Sequence, residues 1–251
     1  MARQKGVLNL DGKAGTLSFF QGRDGYGART ADGMKGERIA DDEAFARTRE
    51  NGMEFGRAGK AGKVIRAALR ELYLGVADMR MTSRMTKAML KVVQSDPISD
   101  RGQRTASKGN SLLLEGFEFN VNNPLKQTFF PQFQASIDRA TGTGQVSLPG
   151  FNPQKLIAAS KGATHYCLLL GIVSANFDEA QSTERYLVGD PLDLKTETAE
   201  QTLTVSLPQS SEFPLFLAFG IEFIQIVNGK KYSLKDASHN ALTIVAVDSD
   251  I

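Results

Sequence analysis

The sequence predicts an α+β protein: an N-terminal β arm and a helical hairpin, followed by an antiparallel β-sandwich or barrel-like body. Three observations carry this expectation. Glycine-rich, β-prone pieces fill the first 36 residues, an apolar period of 3.6 replaces them over roughly 56–94, and beyond residue 110 β-prone runs alternate with turn residues. The implied segments are an arm over 1–36, a linker with a basic helical hairpin over 37–110, and the sandwich body over 111–251.

The arm holds eight glycines, the pairs Asp11-Gly12 and Asp24-Gly25, and the short runs Val7–Leu10 and Thr16–Phe20. Asp-Gly between such runs favours tight hairpins, because glycine adopts the positive φ these turns require. A few short strands without a covering layer bury too little apolar area to be stable alone. The arm therefore needs a surface, and Leu8, Leu10, Leu17, Phe19, Phe20 and Tyr26 are its candidate interface residues.

Residues 32–54 are polar and read as a linker or a short exposed helix. Over Gly56–Leu74, Val64, Ile65, Ala68, Leu69, Leu72 and Tyr73 share one side of a helix, and Gly75 stops it. A second helix over Asp78–Gln94 aligns Met81, Met85, Met89 and Val92, with Pro97 beyond its end. Methionine at this spacing is read as core filler, although it also suits binding faces. The basic residues Arg80, Arg84, Lys87 and Lys91 follow one another at i, i+4, i+7 and i+11 and form a stripe, a candidate contact with phosphates or an acidic protein surface. Polar Ser95–Asn110 reads as the domain boundary. Past it come strand candidates at 112–114, 117–121, 132–137, 144–148, 164–173, 185–188, 202–207, 215–227 and 241–247. Asn228-Gly229 before Lys230–Leu234 marks a hairpin.

Charge separates the halves. Residues 1–110 hold 21 Lys and Arg against 13 Asp and Glu, and the remainder 9 against 15, so a chain of net +2 divides into +8 and −6. Such asymmetry points to an anionic partner for the first part, or to docking of one half on the other half of a neighbouring molecule. The N-terminus lacks the apolar run of a signal peptide, and no stretch is long and apolar enough for a spanning helix, which leads to an expectation of a cytoplasmic protein without membrane insertion. Cys167, the single cysteine, lies in the apolar run Tyr166–Leu170 and reads as a packed hydrophobe.

Catalytic signatures fail on inspection. His165 and His239 are the two histidines, and His165 with Cys167 supplies too few ligands for zinc. Gly56–Lys63 brings glycines and lysine to a helix start, but a phosphate loop would need glycine where Arg57 stands and Ser or Thr where Val64 stands. No cofactor, metal ligand set or catalytic residue is expected, and the protein is read as a non-enzyme. The favoured function is a structural protein that associates with copies of itself into a ring or filament, its arm and basic helices docking on the acidic β body of a neighbour. Nucleic-acid binding through the basic stripe is the alternative, and a carbohydrate- or peptide-binding sandwich a further one.

Two stretches also resemble a known group. Phe45-Ala46-Arg47-Thr48-Arg49-Glu50-Asn51-Gly52-Met53-Glu54-Phe55-Gly56, with its Gly-Lys continuation, and Phe219-Gly220-Ile221-Glu222-Phe223, leading to Val227-Asn228-Gly229-Lys230, resemble a widespread family of uncharacterised Bacteroidota proteins. The similarity runs nearly end to end. It implies a bacterial origin and a shared architecture, and brings no activity or cofactor with it.

Overall fold

The structure is a computed structural model that describes residues 2–4, 10–30, 36–208, 211–234 and 239–249. It divides into two compact units, Met1–Glu50 and Asn51–Ile251. The polar segment read as a boundary is instead a tied loop inside the second unit. The Asp96 carboxylate accepts the amides of Ile98, Ser99 and Thr105 at 2.9, 3.1 and 3.0 Å, while buried Glu54 accepts the Gly102 amide at 2.9 Å. These bonds satisfy backbone groups that a linker would leave to water.

In the first unit, β1 (Ala2–Arg3), β2 (Gly12–Ala14), β3 (Leu17–Gly22) and β4 (Gly25–Thr30) form an antiparallel sheet in the order β1-β4-β3-β2. Gly15 turns β2 into β3 at φ +57°, and Gly25 opens β4 at φ +101°. The Gln4 side chain donates to the carbonyls of Leu10 and Gly27 and accepts the Leu10 amide. Of the strand expected over Val7–Leu10, residues 7–9 lie outside the described residues. Next come α1 (Gly36–Asp41) and the start of α2 (Ala46–Ala68), joined by Arg49, which donates to the carbonyls of Ile39 and Asp42.

The second unit has three layers. The helix layer contains α2 from Asn51 onward, α3 (Arg70–Tyr73) and α4 (Met81–Gln94). Next to it lies a six-stranded sheet built on two long central strands, β7 (His165–Asn176) and β11 (Leu215–Val227), paired antiparallel from Leu215↔Ser174 to Ile224↔His165. β8 (Gln181–Val188) and β9 (Leu192–Asp193) flank β7, while β12 (Lys230–Ser233) and β13 (Ala241–Asp248) flank β11. The third layer is a sheet of β5 (Gln134–Asp138), β6 (Thr143–Leu148) and β10 (Gln201–Ser206), ordered β10-β6-β5. Two short helices, α5 (Leu125–Thr128) and α6 (Pro153–Leu156), lie in the connections. The predicted antiparallel sandwich is present, and the helical hairpin read as a separate segment packs on it as the helix layer.

Alternation along the central strands explains the layering. Leu169, Val173, Phe216 and Ala218 join Ile65, Leu69, Leu72, Met85 and Met89 in one core, while Leu168, Leu170, Leu217 and Phe219 join Val146, Leu148, Leu203 and Val205 in another. With both faces covered, every residue of β7 from Tyr166 to Ala175 is buried. Gly171 lets the helix layer approach, since a Cβ there would lie 2.6 Å from Leu72 Cδ1. Gly62 does the same between α2 and α4, facing Met85 and Met89. The Asn228-Gly229 turn forms as expected, both residues at positive φ.

Two expected strands differ. Leu112–Leu114 lies in a 3-10 turn, Ser111–Leu114, opened by the Asn110 side chain, which accepts the Leu112 amide at 3.0 Å. Residues 117–121 form a single bridge, Glu118↔Thr243, and Phe119 donates to Leu242 O at 2.8 Å.

Candidate functional site

Strand pairing sorts the arm's candidate residues onto opposite faces. Pairs Leu17↔Thr30, Phe19↔Ala28 and Gln21↔Tyr26, with Ala14↔Leu17, place Ala14, Leu17, Phe19, Tyr26 and Ala28 together on a face without charge. The other face carries Lys13, Phe20 and Arg29, the Arg29 guanidinium 5.5 Å from the Phe20 ring centre. Phe20 covers Gly27, where a Cβ would lie 2.8 Å from its ring. Leu17 is 42% exposed and Leu10, ahead of β2, 53%. Among the described residues of Met1–Glu50, no hydrophobic side chain is buried. Leu8 lies outside the described residues.

The basic stripe is not uniform. Arg80, Lys87 and Lys91 are exposed, but Arg84 turns inward. It donates to the carbonyls of Glu118 at 2.6 Å and Phe119 at 3.1 Å, pairs with Asp78, and lies 5.3 Å from the Phe117 ring centre. Burial alone would raise the Asp78 carboxyl, but amides from Val121 and Arg80, together with Arg84, outweigh it and hold its pKa below the usual value. Arg84 is thus a fastener between α4 and residues 118–119. The stripe of four reduces to three open cations.

A second row joins them. On α2 and at the start of α3, Lys60, Lys63 and Arg70 are exposed while Ala61, Val64, Ile65 and Ala68 beneath them are buried. Residues 57–94 hold nine Lys and Arg against two acids, Glu71 and Asp78, and Asp78 is taken by Arg84. In the sequence Lys60, Lys63 and Arg70 fall, with Arg57 and Arg66, among the basic residues around the apolar stripe of the first helix, but only the row on α4 reads as a stripe.

Other polar clusters serve the fold. Asn240 accepts the Phe223 amide at 2.9 Å and donates to Gly75 O at 2.7 Å, joining β11 to the helical turn. Burial pushes the Glu118 carboxyl up despite the Thr243 hydroxyl and Leu125 amide it accepts. Cys167 is buried, and burial raises its thiol although Lys231 Nζ lies 3.5 Å from Sγ. His165 contacts Thr164 Oγ1 at 2.8 Å. Among the described residues, no three His, Cys, Asp or Glu side chains gather as metal ligands. A cleft of ≈ 710 Å³ beside the helical turn has Asp78 and Arg84 on its wall, already paired with each other. The outward face of the β5-β6-β10 sheet presents Gln, Ser, Thr and Asp138, with hydroxyl pairs Thr143–Ser206 and Ser147–Thr202 and no aromatic ring.

No helix among the described residues is long and apolar enough to cross a membrane. No family model, curated protein or solved structure matches the chain. The fold and these surfaces define an α+β protein with a two-faced N-terminal sheet and a layered body whose helix layer is basic.

Proposed function

We propose that this is a non-enzymatic structural protein whose N-terminal arm docks on the acidic β body of another copy, building a ring or a filament. One observation carries the reading. The arm sheet gathers Leu17, Phe19 and Tyr26 on an uncharged face, yet no described hydrophobic side chain of Met1–Glu50 is buried. A sheet with an apolar face gains stability when that face is covered, and a sheet this small is marginal without a cover. The arm over 1–36 holds six Lys and Arg against three Asp, so a body at −6 over 111–251 attracts it over distance, while the uncharged face supplies the contact. A contact between unlike surfaces is heterologous, so it closes into a ring or continues as a filament.

Sedimentation velocity over a concentration series, in low and high salt, tests this. Species larger than a monomer are expected, and the double variant Leu17→Asp, Phe19→Asp should return the protein to a monomer. Thermal melting of the variant checks that the body remains folded. A wild-type monomer at high micromolar concentration in both salts, or assembly unaffected by the double variant, refutes the reading.

A further inference from the structure

The helix layer carries a surface that arm docking does not use. Lys60, Lys63 and Arg70 form one exposed row, and Arg80, Lys87 and Lys91 another. Among the described residues none of the six takes part in an ion pair, whereas Arg84, Arg104 and Arg139 do. The surface is rigid, because the opposite sides of α2 and α4 are buried against the central sheet. The rows lie close, since Gly62 allows α2 to approach Met85 and Met89 on α4. At about 1.5 Å per residue each row runs roughly 15 Å.

From these observations we infer that the two rows bind the phosphate backbone of double-stranded nucleic acid, without sequence preference. Duplex DNA presents a negative charge about every 1.7 Å of its axis, so a row of this length lies along several phosphates at once. Thr82 and Ser83 are exposed on the same helix as the second row, and hydroxyls of this kind add phosphate contacts. Between residues 60 and 70, and between 80 and 91, there is no aromatic side chain for unstacked bases and no Asn or Gln to read adenine, and four of the six cations are lysines, which meet phosphate as point charges. This chemistry holds a backbone and ignores sequence. Between residues 60 and 70, and between 80 and 91, no large apolar side chain is exposed, which disfavours an anionic lipid surface, where such helices insert hydrophobic side chains.

The inference is independent of arm docking. It is tested on the full chain by fluorescence anisotropy with two unrelated duplexes of about 24 base pairs. Six phosphate contacts predict a slope of about −5 in log affinity against log salt, or about a thousandfold loss between about 50 and 200 mM. The two duplexes should bind within roughly threefold of each other. The quadruple variant Lys60→Gln, Lys63→Gln, Lys87→Gln, Lys91→Gln should reduce the slope to about −2 with an unchanged melting temperature. Leu17→Asp, Phe19→Asp should bind duplex as the wild type does at matched protomer concentration below the assembly threshold. Three results overturn the inference: no duplex binding at low salt, equal binding by the quadruple variant, or binding to phosphatidylglycerol vesicles in place of duplex. Loss of self-association in the quadruple variant without any duplex binding would reassign the rows to the acidic body of a second copy.

Discussion

Arg84 separates two uses of a positive charge, and replacing it with methionine measures the difference. Arg84→Met removes the donors to Glu118 O at 2.6 Å and Phe119 O at 3.1 Å and the partner of Asp78, whose side chain is only 6% exposed. A hydrogen bond from a charged donor contributes about 1.5–3 kcal/mol, and stranding one member of a buried pair costs about 3–5 kcal/mol. Asp78 keeps the amides of Arg80 at 2.7 Å and Val121 at 3.1 Å, which softens the loss. The methionine stem also retains part of the packing. A net destabilisation of about 3–4 kcal/mol is expected, which for a unit of this size lowers the melting temperature by about 10 °C. Lys87→Met and Lys91→Met, at exposed positions four residues apart on the same helix, should stay within about 0.5 kcal/mol of the wild type. Urea denaturation followed by circular dichroism gives all three values. Arg84→Met within about 0.5 kcal/mol of the wild type, or equal losses at all three positions, would refute the assignment of Arg84 as a fastener.

Two further outcomes follow from backbone contacts. Gly220→Ala places a Cβ 2.3 Å from the Ala241 carbonyl oxygen, which cannot move without shifting β13, whereas Gly171→Ala meets the rotatable Cδ1 of Leu72 at 2.6 Å. The first should cost about 3 kcal/mol or more and the second about 1–2 kcal/mol, and equal denaturation midpoints would contradict the packing described. At Asp96, burial opposes ionisation but the amides of Ile98, Thr105 and Ser99 outweigh it, lowering its pKa from 3.8 to about 2. A depressed carboxyl stabilises the fold above its unfolded pKa, and that stability is lost as pH falls from 3.8 toward about 2. Asp96→Asn should flatten the stability curve across this window in acid titrations of unfolding, and an unchanged slope would remove the assignment.

Much of the fold was legible because its strongest signals are local. Met81, Met85, Met89 and Val92 share a helix face at any position in the molecule, and they are buried as that spacing requires. Asn228-Gly229 turns whatever surrounds it. The relation of the helices to the sheet was harder to read, yet a clue lay in β7 and β11. Tyr166–Val173 and Leu215–Ile221 are continuous apolar runs, and a strand facing water on one side alternates instead. Their second cover is the helix layer. Where expectation and structure diverge, long-range polar bonds decide. Glu54 and Arg57 hold Gly102, turning an apparent boundary into a tied loop and placing α2 well ahead of its apolar stripe. Asn110 caps a turn where three leucines read as a strand.

The candidate surfaces were legible in composition but not in arrangement. A spacing of i, i+4, i+7 and i+11 aligns Arg80, Arg84, Lys87 and Lys91 around a helix axis, but it is silent on which of them has acceptors within reach. Carbonyls of residues 118 and 119, more than thirty positions away in the chain, take Arg84 out of the row. The planar fork of a guanidinium meets several oxygens at once, whereas the ammoniums of Lys87 and Lys91, lacking such acceptors, extend into solvent. On the arm the same limit applies to apolar residues. Phe19 and Phe20 are neighbours in sequence and equal in hydrophobicity, but the period of a strand sends one to the uncharged face and the other beneath Arg29. Substituting Phe20 therefore perturbs the arm's own packing over Gly27, and substituting Phe19 perturbs the face offered to a partner. An assembly defect from Phe19→Asp that leaves the arm's β signal intact, set against loss of that signal from Phe20→Asp, separates the docking face from the supporting one.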